Sequence, residues 1–419
     1  PLFYPIRALK LEKPKDTMQK RPLLHFVVLG TSDEAEWLVR EAFWMMGFRN
    51  NAIRSKITVL AKNGEHFNVA LKGRFPGMVK DEIKIKGIEI PEIVGKNIDL
   101  DSRAIAEEIQ KITEETPYCY FTVAEDTSDD NNLTLATRVR EALIREAIRS
   151  RKSAHLYEMP PVAFLCRNDQ ISWLTRGMVV EREELGDRWY NTRALIPFGS
   201  ISKQYTFDSI AGGTFGQLAK CIHYQYSQIT PKEVQKGTKK AAESEKDYFS
   251  RQYNQDSSYS MALSMPYRLF QFRDRDAVQI YPVIWNILEG STFCSVEQLA
   301  CLARRINVYD DRTIQELSEY EHSRWTRWML SRGWMPASAE EAVFANKQGN
   351  PRQQLFSAKI HPCICSYEDL TNLAAILKEQ CNLERNFYSY DRENIKDTPK
   401  LLALEWVAKE AEAEVDVER

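Results

Sequence analysis

The chain has 419 residues, of which 43% are hydrophobic and 28% charged, and its formal net charge is -2. This length exceeds what one ordinary core needs and predicts two or three domains, while the composition excludes a disordered chain, a coiled coil and a small disulfide-stapled scaffold. The balanced charge favours no class of partner. The eight cysteines form no pair of CxxC units of the kind that binds zinc, so we expect reduced thiols in a cytoplasmic protein.

The first residues predict a longer protein. Pro1 stands where an initiator methionine is expected, and a polar, basic lead-in extends over residues 1–21. No run in the chain approaches the about 18 apolar residues that a membrane-spanning helix needs. We therefore expect an upstream segment in the full-length protein, and we hypothesise that it crosses the inner membrane and tethers this chain there.

From His25 onward, apolar runs alternate with amphipathic stretches. The predicted strands are His25–Gly30, Lys56–Lys62, Lys84–Ile90, Tyr118–Asp126, Pro160–Asp169 and Ala194–Ser200. Helical spacing predicts helices at Ala35–Met46, Asp101–Thr113 and Asn131–Ser150. Strands this apolar, alternating with helices, predict an α/β fold over residues 22–205: a doubly wound, Rossmann-like parallel sheet of about six strands.

The remainder of the chain has a helical pattern. We predict a helical connector over residues 206–285, with an amphipathic helix at Thr214–Tyr226, a solvated helix or linker at Lys232–Asp247, and a helix that ends near Pro266. From Ile284 only helices and loops are predicted, which indicates an all-α C-terminal domain over residues 286–419.

The turn after the first predicted strand is the first candidate site, because ligands of doubly wound sheets bind at the carboxyl ends of the strands. Compared with the dinucleotide fingerprint G-x-G-x-x-G/A, Gly30 fills the first position and Ala35 the last, but Ser32 replaces the middle glycine. The Ser32 side chain crowds a pyrophosphate, although its hydroxyl is able to donate a hydrogen bond to one. An empty, degenerate crevice is the alternative interpretation.

The charges around this turn argue against ordinary NAD binding. Asp33 and Glu34 are suited to cap a helix but repel an anion. The second predicted strand ends at Lys62 and not at the acid that would bind the ribose hydroxyls. We expect Lys62 to favour an extra phosphate or a nucleotide of different shape.

The stretch VAEDTSDDNNLTLATRVR at residues 123–140 comprises the end of the fourth predicted strand and the start of the helix that follows it. It resembles the fourth strand and following helix of the RCK or TrkA-N domains, which regulate potassium transport and potassium channels, with Asp126, Asn131 and Asn132 in the matching positions. The resemblance implies a nucleotide or dinucleotide bound as a regulatory ligand, and a homodimer. The predicted nucleotide-binding residues are Gly30, Thr31, Ser32, Lys62, Asp126 and Asn131.

A second candidate site lies in EYEHSRWTRWMLSRGW, residues 319–334, which carries three tryptophans, a histidine and three arginines. A core helix gains little from so many groups that each need a hydrogen-bond partner. The plainer alternative is an aromatic core of a small domain, in which Glu321 and His322 are hydrogen-bonded internally.

Together with His361-Pro362, with YEDL at residues 367–370 and with Asp391-Arg392, this helix resembles the ryanodine receptor repeat (RyR) domain over about Thr313–Leu402. Bacterial proteins that join a potassium-regulator-like nucleotide domain to a C-terminal RyR domain have the same architecture, which implies a sensor of nucleotides or nucleotide-derived signals. The predicted ligand groove consists of Glu321, His322, Arg324, Trp325, Trp334, Tyr367 and Asp391.

These observations predict a non-enzymatic ligand sensor whose domains reorient when a nucleotide binds and signal to an upstream segment or a partner. An NAD(P)-dependent or nucleotide-processing enzyme is one alternative, although the sequence has neither a clean fingerprint nor a nucleophile motif. A protein-interaction module with a vestigial crevice is the other. No nucleic-acid polymer is expected, because no basic stripe extends beyond one helix.

Overall fold

A computed structural model describes most of the chain. The described residues are 21–80, 82–125, 128–150, 159–169, 171, 195–200, 213–272, 304, 309–347 and 355–402. They divide into two compact units. The sheet unit comprises Pro1–Gln204 and His322–Tyr388, and the helical unit comprises Tyr205–Glu321 and Ser389–Arg419. The domain boundaries at residues 21/22, 205/206 and 285/286, which we inferred from sequence patterns, stay a prediction.

The sheet unit is built on a parallel sheet. Its strands are β1 (Leu23–Leu29), β2 (Arg54–Ala61), β3 (Glu92–Asn97), β4 (Cys119–Val123), β5 (Val162–Leu165) and β6 (Leu195–Phe198). They lie in the order β3-β2-β1-β4-β5-β6, and every neighbouring pair is parallel. This is the strand order of a doubly wound, Rossmann-like fold. The prediction of a six-stranded parallel sheet is confirmed.

Within the described residues, four α-helices connect β1 to β5. They are α1 (Asp33–Met45), α2 (Gly64–Arg74), α3 (Ala104–Glu115) and α4 (Asp129–Arg149). One face of the sheet packs with α3 and α4 around a core that includes Val27, Phe121, Ile109 and Val139. Strands β1, β4 and β5 are buried along most of their length, as expected for a parallel sheet that helices cover.

The third strand was placed wrongly from the sequence. Residues Lys84–Ile90 contain one turn, with Gly87 at a φ of +80° and a hydrogen bond from Ile88 N to Ile85 O of 3.1 Å. The third strand is β3, which begins two residues after Ile90. The alternating isoleucines of the earlier segment still reach the core, since Ile88 and Ile90 are buried. Burial of alternate side chains therefore does not distinguish this turn from a strand.

Paired glycines allow α2 to lie against β3. A Cβ on Gly95 would overlap the backbone of Gly64, and a Cβ on Gly64 would overlap the carbonyl group of Lys96. Any side chain at either position would push the helix away from the strand. Gly95 inside β3 is thus required by close packing, although glycine is unfavourable in strands in general.

The helical unit contains α5 (Gly213–Tyr226), α6 (Pro231–Gln235), α7 (Lys239–Ser250) and α8 (Gln252–Gln271). The expected helix end near Pro266 is wrong, because α8 continues through this proline. Its last turns bury Met265, Leu269 and Phe270. Burial of these side chains offsets the about 3 kcal/mol that a proline costs inside a helix.

The helical C-terminal region consists of α9 (Asp311–Ser331), α10 (Ala339–Lys347), α11 (Asp369–Cys381), α12 (Phe387–Lys396) and α13 (Thr398–Leu401). It also contains two short strands, β7 (Met335–Pro336) and β8 (Ile360–His361), which pair in parallel. The expectation of helices and loops alone is therefore wrong at this point. Residues 284–303 and 305–308, for which helices and loops were also predicted, lie outside the described residues.

None of the helices within the described ranges is both long enough and apolar enough to cross a membrane.

His25 is a titratable group inside the sheet, and its side chain is 1% exposed. Its Nε2 lies 2.7 Å from Oγ1 of Thr58, and its Nδ1 lies 3.7 Å from Oε2 of Glu115, which is too far for a hydrogen bond. Burial lowers the pKa of His25 to about 4, with a smaller contribution from the positive charge of Lys56. The neutral imidazole is therefore the form that fits the folded protein.

A stability difference between Gly30→Ala and Gly87→Ala would test the packing of the turn after β1. Both glycines have a positive φ, +120° and +80°, but only Gly30 has backbone atoms of Ala124 where a Cβ would lie, whereas Gly87 has open space. We expect Gly87→Ala to cost the about 1–2 kcal/mol of an unfavourable φ, and Gly30→Ala to cost about 1–3 kcal/mol more through overpacking. Urea denaturation measures both, and equal losses would refute the close approach.

A second prediction concerns acid stability. Because the folded-state pKa of His25 lies below the unfolded value of 6.5, its contribution to stability is complete above pH 6.5 and declines as the pH falls toward 4. The decline amounts to roughly 3 kcal/mol. His25→Gln keeps a polar group beside Thr58 but does not titrate, so we expect it to lose less stability than the wild type between pH 7 and pH 4 in urea denaturation. Parallel pH profiles would contradict the assignment.

Candidate functional site

The strand order reverses between β1 and β4, and we call the region outside the carboxyl ends of these two strands the crevice. In a doubly wound sheet this point faces the carboxyl ends of the strands and is the usual ligand position. Gly30 follows β1 and donates its N–H to Leu60 O at 3.0 Å, and Ala124 follows β4 and donates its N–H to Leu29 O at 2.8 Å. The turn after β1 and the loop after β4 therefore form the two walls of the crevice.

Ser32 connects these two walls. Its Oγ accepts a hydrogen bond from Ala35 N at 3.2 Å, which caps α1, and donates one to Ala124 O at 2.8 Å. The Thr31 hydroxyl donates to Oδ1 of Asn63 at 3.1 Å, next to the end of β2. The Ser32 hydroxyl, which we predicted as a hydrogen-bond donor to a phosphate, thus already has a donor and an acceptor within the protein.

Lys62 and Asp99 form the polar border of the crevice on the β2 and β3 side. Nζ of Lys62 lies 3.6 Å from Oδ1 of Asp99, and the two side chains are 67% and 54% exposed. An ion pair this exposed contributes little to stability, because water screens it. Both groups are therefore accessible to a ligand at the mouth of the crevice.

Arg167 borders the opposite side of the crevice. It follows β5, and its guanidinium forms an ion pair with Glu34 at the start of α1. Burial alone would raise the pKa of Glu34, but a backbone hydrogen bond and the charge of Arg167 outweigh it and hold that pKa below its ordinary value. Sequence reasoning missed Arg167, although its position near the carboxyl end of the predicted strand Pro160–Asp169 places it at the carboxyl edge.

The loop after β4 contains the remaining predicted residues. Asp126 lies outside the described residues. Asn131 is exposed in the first turn of α4, where its N–H is capped by Oγ of Ser128 at 3.3 Å. Asn132 is buried, and its Oδ1 accepts a hydrogen bond from Glu125 N at 3.1 Å. The structure therefore brings Gly30, Ser32 and Asn132 to the crevice walls, with Thr31 and Lys62 at its border.

Seven aromatic rings form a second polar and aromatic feature, which we call the ring cluster. Its members are His322, Trp325, Trp334, Phe356, His361, Tyr367 and Tyr388. His361 is at its centre, with ring centroids 5.0 Å from Trp325, 6.1 Å from Trp334 and 5.2 Å from Phe356. These separations are those of favourable edge-to-face and offset-stacked pairs.

Hydrogen bonds define the tautomers of the two histidines. Nε2 of His322 lies 2.9 Å from the carbonyl oxygen of Cys365, which only accepts, so this nitrogen carries a proton. Nδ1 of His361 accepts a hydrogen bond from Cys363 N at 3.1 Å, so the proton of the neutral ring is on Nε2. Both imidazoles are thereby held in one orientation within the ring cluster.

The predicted groove residues separate into three groups. His322, Trp325, Trp334 and Tyr367 meet in the ring cluster. Arg324 lies elsewhere, 1% exposed, with its guanidinium 5.5 Å from the ring centroid of Trp44.

Glu321 and Asp391 belong to the helical unit. Nη2 of Arg268 lies 2.9 Å from Oε2 of Glu321 without the alignment of a hydrogen bond, and both side chains are at most 1% exposed. Asp391 is half-buried in α12. A single groove containing all seven predicted residues therefore does not follow from this arrangement.

Sequence reasoning did not select Phe356 and His361 as site residues. The His361-Pro362 step carried a signal, since it is part of the resemblance to RyR domains, whereas Phe356 had none. Within the part of the chain that the structure describes, no group of three His, Cys, Asp or Glu side chains is arranged to hold a metal ion.

Comparisons of the chain with protein-family models, with curated proteins and with solved structures find no match.

The buried pair of Arg268 and Glu321 yields a prediction. Glu321→Leu leaves a buried guanidinium without its counter-ion, which costs about 3–5 kcal/mol, whereas the double variant Arg268→Met with Glu321→Leu replaces both charges by apolar groups and recovers most of that loss. Urea denaturation of the full chain, followed by circular dichroism, measures the three stabilities. An unchanged stability of Glu321→Leu would show that the pair is not structural and would leave Glu321 available to a ligand.

Proposed function

We propose that this protein is a non-enzymatic sensor that binds a nucleotide or dinucleotide in the crevice between β1 and β4. The observation that supports this proposal most directly is the strand order β3-β2-β1-β4-β5-β6, with its reversal next to β1. A reversal of this kind opens a crevice into which a flat, elongated ligand fits at the carboxyl ends of the strands.

The charges at the border of the crevice support an anionic ligand. Lys62 follows β2 and Arg167 follows β5, and these strands are three positions apart in the sheet, which corresponds to about 14 Å. The two cations therefore flank the crevice on opposite sides. A phosphate or pyrophosphate between them competes with the carboxylates of Asp99 and Glu34, which pair with the same cations.

The contacts of Ser32 favour regulatory binding over hydride transfer. Its side chain stands where the fingerprint of dinucleotide enzymes has glycine, and it joins both crevice walls through Ala35 and Ala124. A ligand that enters here must adjust to this connection or displace it. The output in our proposal is a change in conformation, which is what a sensor requires.

A second candidate function concerns the ring cluster. We propose that the C-terminal helical region is a domain of the RyR type and that the ring cluster is its recognition surface for a small ligand or a partner helix. The supporting observation is that Trp325, Phe356 and His361 remain partly exposed although they contact one another. The homodimer and the upstream membrane segment stay predictions.

The primary proposal is tested by isothermal titration calorimetry of the full chain with NAD, NADP, ATP and ADP-ribose. We expect one of them to bind, and Lys62→Glu to weaken its binding about tenfold, or about 1.4 kcal/mol, because the variant places a negative charge beside a phosphate.

Lys111→Glu is the matched control, since the Lys111 side chain on α3 is 69% exposed, close to the 67% of Lys62, and also forms an ion pair. Binding that is weakened equally by both variants would reflect net charge and would count against the crevice. Absence of binding by all four nucleotides would refute a nucleotide sensor of this class.

A further inference from the structure

Helix α1 extends from the crevice to the C-terminal part of the sheet unit. Its first turn is tied to the crevice by Ser32, which caps it and binds Ala124 O, and by the ion pair between Glu34 and Arg167. At 13 residues it is about 20 Å long. Several side chains from its middle and second half contact α9 and the turn that follows α9.

The first of these contacts is a buried hydrogen bond. Nε of Arg40 donates to the carbonyl oxygen of Ser331 at 2.9 Å, and the guanidinium lies 4.5 Å from the ring centroid of Trp37 and 4.3 Å from that of Phe75. A guanidinium between two rings and bonded to a carbonyl has little freedom to reorient. It therefore fixes the last turn of α9 to the middle of α1.

The second contact is the ion pair of Arg332 with Glu41. Their Nη2 and Oε1 atoms are 2.6 Å apart, and the Arg332 guanidinium lies 5.0 Å from the ring centroid of Trp37. The other carboxylate oxygen of Glu41 accepts a hydrogen bond from Nε1 of Trp44 at 2.8 Å. One carboxylate on α1 thus holds both a side chain of its own helix and the turn after α9.

The third set of contacts involves the two buried arginines of α9. The guanidinium of Arg324 lies near the ring of Trp44, and a Cβ on Gly47, two residues after α1, would overlap Nη2 of Arg327. Arg324 and Arg327 are 1% and 2% exposed. All three arginines of EYEHSRWTRWMLSRGW therefore contact α1 or the residues directly after it, and we call Arg40, Arg324, Arg327 and Arg332 with these partners the arginine clamp.

Helix α9 carries the clamp and the ring cluster on different sides. Arg324 belongs to the clamp and its neighbour Trp325 to the ring cluster. Beyond the last turn of α9, Gly333 adopts a φ of +81° and Trp334 N bonds back to Met329 O at 3.1 Å, which places Trp334 in the ring cluster. A displacement of the end of α9 therefore moves a member of that cluster.

We propose that the arginine clamp couples the crevice to the ring cluster, with α1 as the rigid element between them. The inference rests on the proposed function, because it assigns the consequence of ligand binding in the crevice. A ligand that shifts the first turn of α1 shifts its second half with it, and the clamp transfers this movement to α9 and Trp334. By thermodynamic reciprocity, a ligand at the ring cluster changes the affinity of the crevice by the same factor.

The test perturbs the crevice and reads the ring cluster by hydrogen–deuterium exchange. Thr31→Trp places a large side chain at the crevice border and needs no ligand. We expect it to change the exchange rates of amides in residues 325–334 by at least about fivefold. In an Arg332→Met background, which breaks one arm of the clamp, this response should disappear.

Arg392→Met is the matched control, because Arg392 has a similar exposure, 26% against 24% for Arg332, and pairs with Asp311 in the helical unit. The response to Thr31→Trp should persist in that background. If Arg332 had a purely structural role, Arg332→Met would change the exchange rates to the same extent with and without Thr31→Trp. Two results would overturn the coupling. One is a response to Thr31→Trp that persists in the Arg332→Met background, and the other is no response to Thr31→Trp when it is the only substitution.

A second variant pair acts on the clamp from the side of α1. Gly47→Ala displaces the Arg327 guanidinium, whereas Gly73→Ala in α2 meets no atom within 4 Å. We expect only Gly47→Ala to reduce the response to Thr31→Trp; equal effects of the two variants would count against the clamp.

A nucleotide arm separates this inference from the proposed function. NADP is added to the unmodified chain, and its binding is followed by calorimetry and by exchange. Binding without any change in residues 325–334 refutes the coupling and leaves the sensor site intact. A response to Thr31→Trp without NADP binding supports the coupling and counts against NADP as the ligand.

Discussion

The backbone of the turn after β1 lies so close to the end of β4 that residue 30 has no room for a side chain. This approach depends on Gly30 having a φ of +120° and on Ala124 lying where a Cβ would be. It positions Ser32 to bond Ala124 O and to cap α1 with the same hydroxyl. The start of α1 is thereby fixed beside the end of β4.

Buried and half-buried arginines then determine how the C-terminal residues of the sheet unit lie against α1. A guanidinium is costly to remove from water unless charges, carbonyl groups or aromatic faces replace its hydration. Arg40 meets this requirement with Ser331 O and two rings, and Arg332 with Glu41 and Trp37. Because such contacts are directional, they select one orientation of α9, which apolar packing alone would specify less strictly.

The candidate site was only partly predictable from the sequence. Periodicity identified the turn at Gly30, because a buried strand before a helical pattern places the intervening residues at the carboxyl edge. It did not indicate that the Ser32 hydroxyl bonds a carbonyl after β4, since that partner is 92 residues away. Periodicity also did not indicate that Arg324 lies beside Trp44 while Trp325 lies beside His361. Adjacent residues of a helix point in different directions, but the sequence pattern does not show which neighbouring element lies in each direction.

The sequence by itself determined the local features: apolar runs for β1, β2 and β4, amphipathic helices between them, and a parallel α/β sheet as the arrangement that buries both. Only the tertiary structure decided the position of β3, where close packing with Gly64 makes Gly95 acceptable, and the passage of α8 through Pro266. It also decided that the arginines of α9 contact α1. Local sequence patterns indicate which side chains are buried. The partner of a buried polar group, or of a close backbone approach, is distant in the chain and comes into contact only when the fold has formed.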